Sequence, residues 1–366
     1  MEKSVHKFDR IFLLYTGIMV IFGLAALLSA SGPLGYDRFQ DAYFFIRRQI
    51  IFGLVPGVVL FYLFLNINFE KWRKLSWLIY GLAVLLLTLV FVPQVGTVIN
   101  GARSWISLAG FNFQPSEVAK FALIFFAAYL FSDRKRNLQD WQMGLLPILT
   151  LLSPVILLVL IQPDVGTLSI MLVILFFMMF EARVPKRYLF VLGTLALVAF
   201  TVLIFLKPYR LQRLTVFMHP ELDPKGIGYQ VNQAFLAIGS GGFWGRGIGQ
   251  SVQKYQYLPE VNSDSIFAII AEETGFLVSA GLVVLITLIG LRGLKIAKET
   301  DSEFGRLLVV GVIVWIVWQS FLNIGAMVGV LPLTGVPLPF VSHGGSALLS
   351  ELAAVGLVLN ISKKEI

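Results

Sequence analysis

Ten stretches of the chain are long and apolar enough to cross about 30 Å of hydrocarbon, and no other feature limits the possible folds as severely. They run over 11–31, 48–66, 75–93, 115–132, 143–162, 165–181, 187–206, 265–291, 307–331 and 345–361. A segment in lipid has to bond its own backbone, so each is expected to be a helix. Composition agrees: 57% of residues are hydrophobic and 14% charged, where a soluble domain carries about 25% charge. This excludes a soluble fold with a single anchor. The run 11–31 is too long for a signal h-region and lacks a clearly separated small-x-small cleavage site, so it reads as the first span. The expected architecture is an all-α integral membrane protein forming one polytopic domain over 1–366. It is a bundle of about ten transmembrane helices with re-entrant segments and a large structured extracytoplasmic loop, 207–264, between helices 7 and 8.

An even number of spans puts both termini on one side, and the basic residues say which. The terminal side holds eighteen Lys and Arg, including Lys3, Lys7, Arg134, Lys135, Arg136 and Lys364, and the opposite side ten. Six of those ten, Lys207 and Lys225 among them, fall in the long loop, and long loops weigh little in this rule. The termini are therefore expected in the cytoplasm, and Asp264 outside. The net charge of +8 follows from this topology and gives no reason to expect nucleic acid. With no cysteine in the chain, a disulfide framework and a thiolate metal site are both excluded.

The chemistry-bearing residues cluster in and around the outer loops. Asp264 sits where a polar loop, KYQYLPEVNSD, meets a membrane-length helix. A carboxylate there is partly desolvated, which raises its pKa and makes it a better base once ionised. It can equally be an ordinary N-cap, a reading that also suits Asp164 in QPDVG. Glu117 and Lys120, three apart on a helix, either neutralise one another as a packing pair or line a substrate cavity. Helical angles place Glu272 about 80° from Asp264 and Glu273 on the far side. Arg210 and Arg213 repeat at i, i+3, a spacing that suits a diphosphate or, equally, lipid headgroups. The glycine-rich run 239–249 has neither a preceding strand nor a closing Lys-Ser/Thr, so it reads as a tight re-entrant turn rather than a nucleotide loop. The Pro- and Gly-rich run 332–346 also reads as re-entrant, with His343 able to titrate near neutral pH or to be a bonded structural histidine.

Taken together, these segments resemble the SEDS family of bacterial cell-wall glycan polymerases (FtsW/RodA type). The resemblance rests on NGARSWISL, FQPSEVAK, QPDVGT, YRLQRLTVFMHPELDPKGIGYQ, GSGGFWGRGIGQSVQKYQYLPE, SDSIFAIIAEETG and GVPLPFVSHGGS, in that order over nearly the whole chain. The spellings RRQ, INGARSW and GQSVQKYQYLPE are closer to the division-type FtsW branch. Where the family has His-Thr-Asp-Phe, this chain has Asn262-Ser263-Asp264-Ser265, and His343 replaces a tyrosine; the aspartate is kept.

The resemblance implies an inverting, β-1,4-forming peptidoglycan glycosyltransferase with Asp264 as its catalytic residue. The substrates would be lipid II and an undecaprenyl-diphosphate-linked glycan. Substrate-binding candidates are Arg210, Arg213, Glu117, Lys120, Arg103, Lys254, Arg246, Gln230, Glu260, Asp164, Ser342, His343 and Ser346. A divalent cation, Mg or Mn, is a possible cofactor, and no nucleotide or redox cofactor is expected. A class B penicillin-binding transpeptidase and other divisome proteins are the implied partners, at the division septum of the bacterial inner membrane. The alternatives are a lipid II flippase, an elongation-type polymerase and a scaffold that only recruits a transpeptidase.

Overall fold

Each of the ten apolar runs is a helix. The computed structural model describes residues 8–99, 102–108, 111–133, 137–206, 208–223 and 226–363. Lys3, Lys7, Arg134, Lys135, Arg136, Lys207, Lys225 and Lys364, used in the charge count, lie outside the described residues, as do Asn100 and Gly101. The ten helices are α1 (Arg10–Phe39), α2 (Phe44–Asn66), α3 (Phe69–Leu89), α4 (Pro115–Phe131), α5 (Trp141–Ile161), α6 (Val165–Glu181) and α7 (Lys186–Phe205), then, after two loop helices, α10 (Ile266–Lys298), α11 (Glu303–Met327) and α12 (Gly345–Ile361). The loop between α7 and α10 contains α8 (Pro208–Met218) and α9 (Ile227–Gly241). Seven of the ten are long and apolar enough to span a membrane; α4, α6 and α12 have 17 residues each. Of these three, α4 and α12 are buried almost all round, as expected of helices at the centre of a bundle. Close approach there depends on glycine: a Cβ on Gly356 of α12 would lie 2.3 Å from the Phe61 carbonyl oxygen of α2.

The ends of the described chain meet at one pole. The Asp9 amide donates to Ser362 Oγ (3.0 Å), Arg292 Nε donates to Asp9 Oδ2 (2.9 Å), and Asn360 Nδ2 donates to the Leu65 carbonyl (2.6 Å). Asp9 also caps α1 through the Phe12 amide (2.8 Å), which uses its carboxylate at the positive end of the helix. The Asp264 loop lies at the opposite pole. The segment 94–114, read from sequence only as an outer loop, is an antiparallel meander of β1 (Gly96–Ile99), β2 (Ala102–Leu108) and β3 (Phe111–Phe113), with Thr97 opposite Trp105 and Ile106 opposite Phe113.

Helix α10 is broken at Gly275, where φ is +74°. The glycine-rich run fills the break with backbone: the Arg246 and Gly247 amides donate to the Glu272 and Glu273 carbonyls (3.0 and 2.9 Å), and the Phe276 amide donates to Gly242 (2.9 Å). A Cβ on Gly275 would meet the Gly245 nitrogen at 2.3 Å. Gly275→Ala adds that clash to left-handed backbone, a strain of about 1–3 kcal/mol. It should lower the thermal unfolding midpoint in detergent by several degrees.

Candidate active site

Asp264 closes a run of turns whose Ser263 and Ser265 amides both donate to the Glu260 carbonyl (3.0 and 3.2 Å), which is possible because Glu260 adopts φ +53°. Helix α10 starts at Ile266 with Ser265 at its cap position and no side-chain capping bond. The N-cap reading of Asp264 therefore does not hold. Its Oδ1 is buried with no hydrogen-bond partner, while the residue as a whole stays half-buried. Burial is the main cause of a raised pKa, and the nearby Glu260 carboxylate adds to it. The aspartate's own amide, Arg213 and Gln230 oppose the rise, leaving it at about 7. Such a group is half ionised at neutral pH and able to accept a proton from a bound hydroxyl.

The backbone around Asp264 is held from three directions. Asn323 Nδ2 of α11 donates to the carbonyls of Asp264 and Val336 (both 2.8 Å). Ser342 Oγ donates to the Ser263 carbonyl (2.6 Å), and the His343 amide donates to the Asn262 carbonyl (2.7 Å). Gln49 brackets His343, donating to the Ser342 carbonyl (3.3 Å) and accepting from the Gly344 amide (2.9 Å). The re-entrant run 332–344 is thus the floor of the site. Asn323, Gln49 and Gln319 are absent from the sequence-level candidates. A scan of the spans for uncharged amides as well as charges would find them, because a buried amide has to bond something specific.

Of the expected ligands, Arg213, Gln230 and Glu260 gather at Asp264. Arg213 Nη1 also donates to the Leu333 carbonyl (3.0 Å), and Gln230 Nε2 to Ser265 Oγ (3.0 Å). Arg210 instead turns back to the Leu203 carbonyl at the end of α7 (2.9 Å), so the two arginines do not form one grip. Lys254 forms a buried pair with Glu273 (2.7 Å), and Arg246 pairs with Glu272 (3.2 Å). Glu272 also accepts from Ser251 Oγ (2.5 Å) and the Val252 amide (3.0 Å). These four charges clasp the segment 246–254 to α10; Lys254 is buried in its pair, whereas the Arg246 side chain stays exposed beside Glu272.

The remaining candidates make contacts within the bundle. Glu117 and Lys120 are sealed in the core at 2.8 Å, with Lys120 Nζ also donating to Gln319 Oε1 (2.6 Å) and lying 5.0 Å from the Trp315 ring centroid. They form a packing pair and line no open cavity. Asp164 caps α6 through the Thr167 amide (3.0 Å), Arg103 donates to the Phe91 carbonyl (3.5 Å), and Ser346 Oγ accepts from the Gln114 amide (3.3 Å). Burial and, after it, the Arg48 guanidinium push the His343 imidazole down to about 4, and the ring packs edge-on against Phe45, which favours the structural reading of this histidine. Among the described residues no three His, Asp or Glu side chains converge in a metal-binding group.

Fold and site together define a polytopic helical membrane protein with a carboxyl group of raised pKa at one pole, on a re-entrant floor. The chain belongs to the FtsW/RodA/SpoVE family of cell cycle proteins, whose family model matches residues 9–366. It is 38% identical to stage V sporulation protein E of Bacillus subtilis, covering 97% of each chain. It is 36% identical to a probable peptidoglycan glycosyltransferase FtsW of Geobacter sp., covering 99% of this chain and 98% of that one. Among solved structures, a chain of a peptidoglycan synthase complex aligns with a TM-score of 0.77 at 30% identity, covering 97% of both chains. The rod shape determining protein RodA of Thermus thermophilus aligns at 0.71 and 27% identity, covering 98% of both.

Proposed function

We propose that this chain is a peptidoglycan glycosyltransferase that polymerises lipid II on the outer face of the cytoplasmic membrane, with Asp264 as general base. The observation that carries this reading is the buried, unpartnered Oδ1 of a half-buried aspartate that caps no helix. The acceptor's sugar 4-hydroxyl attacks the anomeric carbon of the growing strand as its proton passes to Asp264. The bond from that carbon to the diphosphate breaks, and the electron pair leaves with undecaprenyl diphosphate. A single displacement inverts the centre and needs no second carboxylate about 5 Å away as nucleophile. Arg213 meets the leaving charge. Where a magnesium or manganese ion accompanies the diphosphate, the Glu260 carboxylate beside Asp264 would hold it from this side, and it would supply charge neutralisation. The excess of basic residues in the short loops of the terminal pole supports a cytoplasmic position for that pole and an outward Asp264.

The whole-length similarity to proteins named FtsW supports a septal, division-type role. The resemblance to a chain of a synthase complex that coordinates polymerisation and crosslinking supports a crosslinking partner of the class B penicillin-binding type. The deciding experiment is glycan polymerisation from lipid II by the purified protein. Loss of product in Asp264→Ala supports the enzyme, whereas full polymerisation by that variant with lost lipid II translocation identifies a flippase. Arg213→Ala should lower kcat/KM by about 10–100-fold and shift the rising limb of the pH profile to higher pH, because Arg213 holds the Asp264 pKa down. Arg210→Ala, bonded elsewhere, should leave both unchanged.

A further inference from the structure

We propose that Glu351, buried in α12, is a positioning residue for the Asp264 loop and acts through the re-entrant run 332–344. The inference rests on the reading of Asp264 as the base. Glu351 is 1% exposed. A carboxyl group at such a place in a membrane bundle is unfavourable unless its bonds accomplish something. The bond it makes is specific: Oε2 accepts from the Phe340 amide at 2.8 Å, across eleven residues. Phe340 stands at φ +63°, the left-handed region that a bulky L side chain avoids. The carboxyl group thus bonds the amide of the residue that carries the strain.

The turn it fixes is the one that reaches the site. With Phe340 in this conformation, the Leu338 amide donates to Ser342 Oγ (2.8 Å), and the Ser342 amide donates to the Leu338 carbonyl (3.0 Å). The Ser342 hydroxyl, so oriented, gives its own proton to the Ser263 carbonyl (2.6 Å), one residue before Asp264. His343 follows directly, with its amide on Asn262. A route of hydrogen bonds therefore runs from Glu351 through Phe340 and Ser342 to the backbone that aims the base. The Glu117 and Lys120 charges of α4 act on Glu351 electrostatically, and Lys120 reaches Gln319, which donates to the Pro337 carbonyl of the same turn (2.9 Å). Without the acceptor at 351, the turn relaxes toward an ordinary φ, and Ser342 moves off Ser263.

The test uses full-length protein in nanodiscs with lipid II as substrate. Glu351→Gln keeps an acceptor for the Phe340 amide, and Glu351→Met fills the space without one. Glu351→Met should lower kcat about tenfold or more with KM within about twofold, since small misplacements of a catalytic group act on the chemical step. Its thermal midpoint should not fall, because an apolar side chain replaces a buried carboxyl. Glu351→Gln should stay within about threefold of the parent kcat. Wild-type kcat in Glu351→Met overturns the proposal, and so does a Glu351→Gln variant as impaired as the methionine one. Failure of Glu351→Met to fold also overturns it, because the carboxyl would then serve the whole bundle rather than this turn. Asp264→Ala, run in parallel, separates this from failure of the underlying reading: only an active Asp264→Ala would remove the base itself.

Discussion

Asp264→Asn should reduce the rate of glycan polymerisation by about 10²–10⁴-fold, the range lost when a positioned general base can no longer take a proton. The amide has the shape of the carboxyl group, and Oδ1 makes no hydrogen bond that the substitution could break. Protein level, fold and substrate binding should therefore persist. The pH dependence is the sharper check. With the carboxyl pushed up to about 7, chiefly by burial and then by Glu260, the unprotonated fraction grows between roughly pH 6 and 8. The parent rate should climb through that interval and then level off, and the residual rate of Asp264→Asn should be flat. Stability moves the other way. A carboxyl whose folded pKa lies above its unfolded value binds more protons when folded, so the protein loses stability as pH rises from about 4 through about 7. Asp264→Asn removes that loss and should unfold no earlier than the parent at pH 8.

Lys254→Met is expected to give the largest stability effect. Lys254 Nζ and Glu273 Oε1 are 2.7 Å apart, with both side chains almost fully buried. Removing one partner leaves an uncompensated charge, which costs about 3–5 kcal/mol in comparable buried pairs. Ser29 Oγ (2.6 Å) and the Ser251 amide (3.4 Å) would be left to hold Glu273. The variant should show a markedly lower thermal midpoint and faster proteolysis of the segment 242–265. The double variant Lys254→Met/Glu273→Gln should recover most of the loss, since no charge is then stranded. If Lys254 gripped substrate phosphate instead, the single change would raise KM with stability intact, and the double change would recover nothing.

The ten helices were legible in the sequence because lipid imposes a length and an apolar composition that few other constraints match. The site was legible in part. Asp264 stood out as a charge at the junction of loop and span, and Arg213, Gln230 and Glu260 lie in motifs that precede it. The role of Lys254 and Arg246 was not legible, since a basic residue in an outer loop looks the same whether it faces a phosphate or a carboxylate from another helix. Glu272 and Glu273, two turns into α10, carry the partners, and only the break at Gly275 lets the glycine-rich run close on them. The amide clasps of Asn323 and Gln49 were hidden for a related reason: their partners are backbone carbonyls and amides, which leave no pattern in residue types.

By itself, then, the order of residues determined how many long apolar helices the chain forms, which pole carries the basic short loops and which acid stands where a polar loop meets an apolar run. These are one-dimensional quantities, set by hydropathy and local charge. The folded bundle decided which charges neutralise one another, which turn is strained at Phe340, and why the oxygen of Asp264 has no partner. Most of those outcomes depend on contacts between residues from eleven to hundreds of positions apart, and burial, which sets the energy of every one of these charges, exists only once the helices have closed around them.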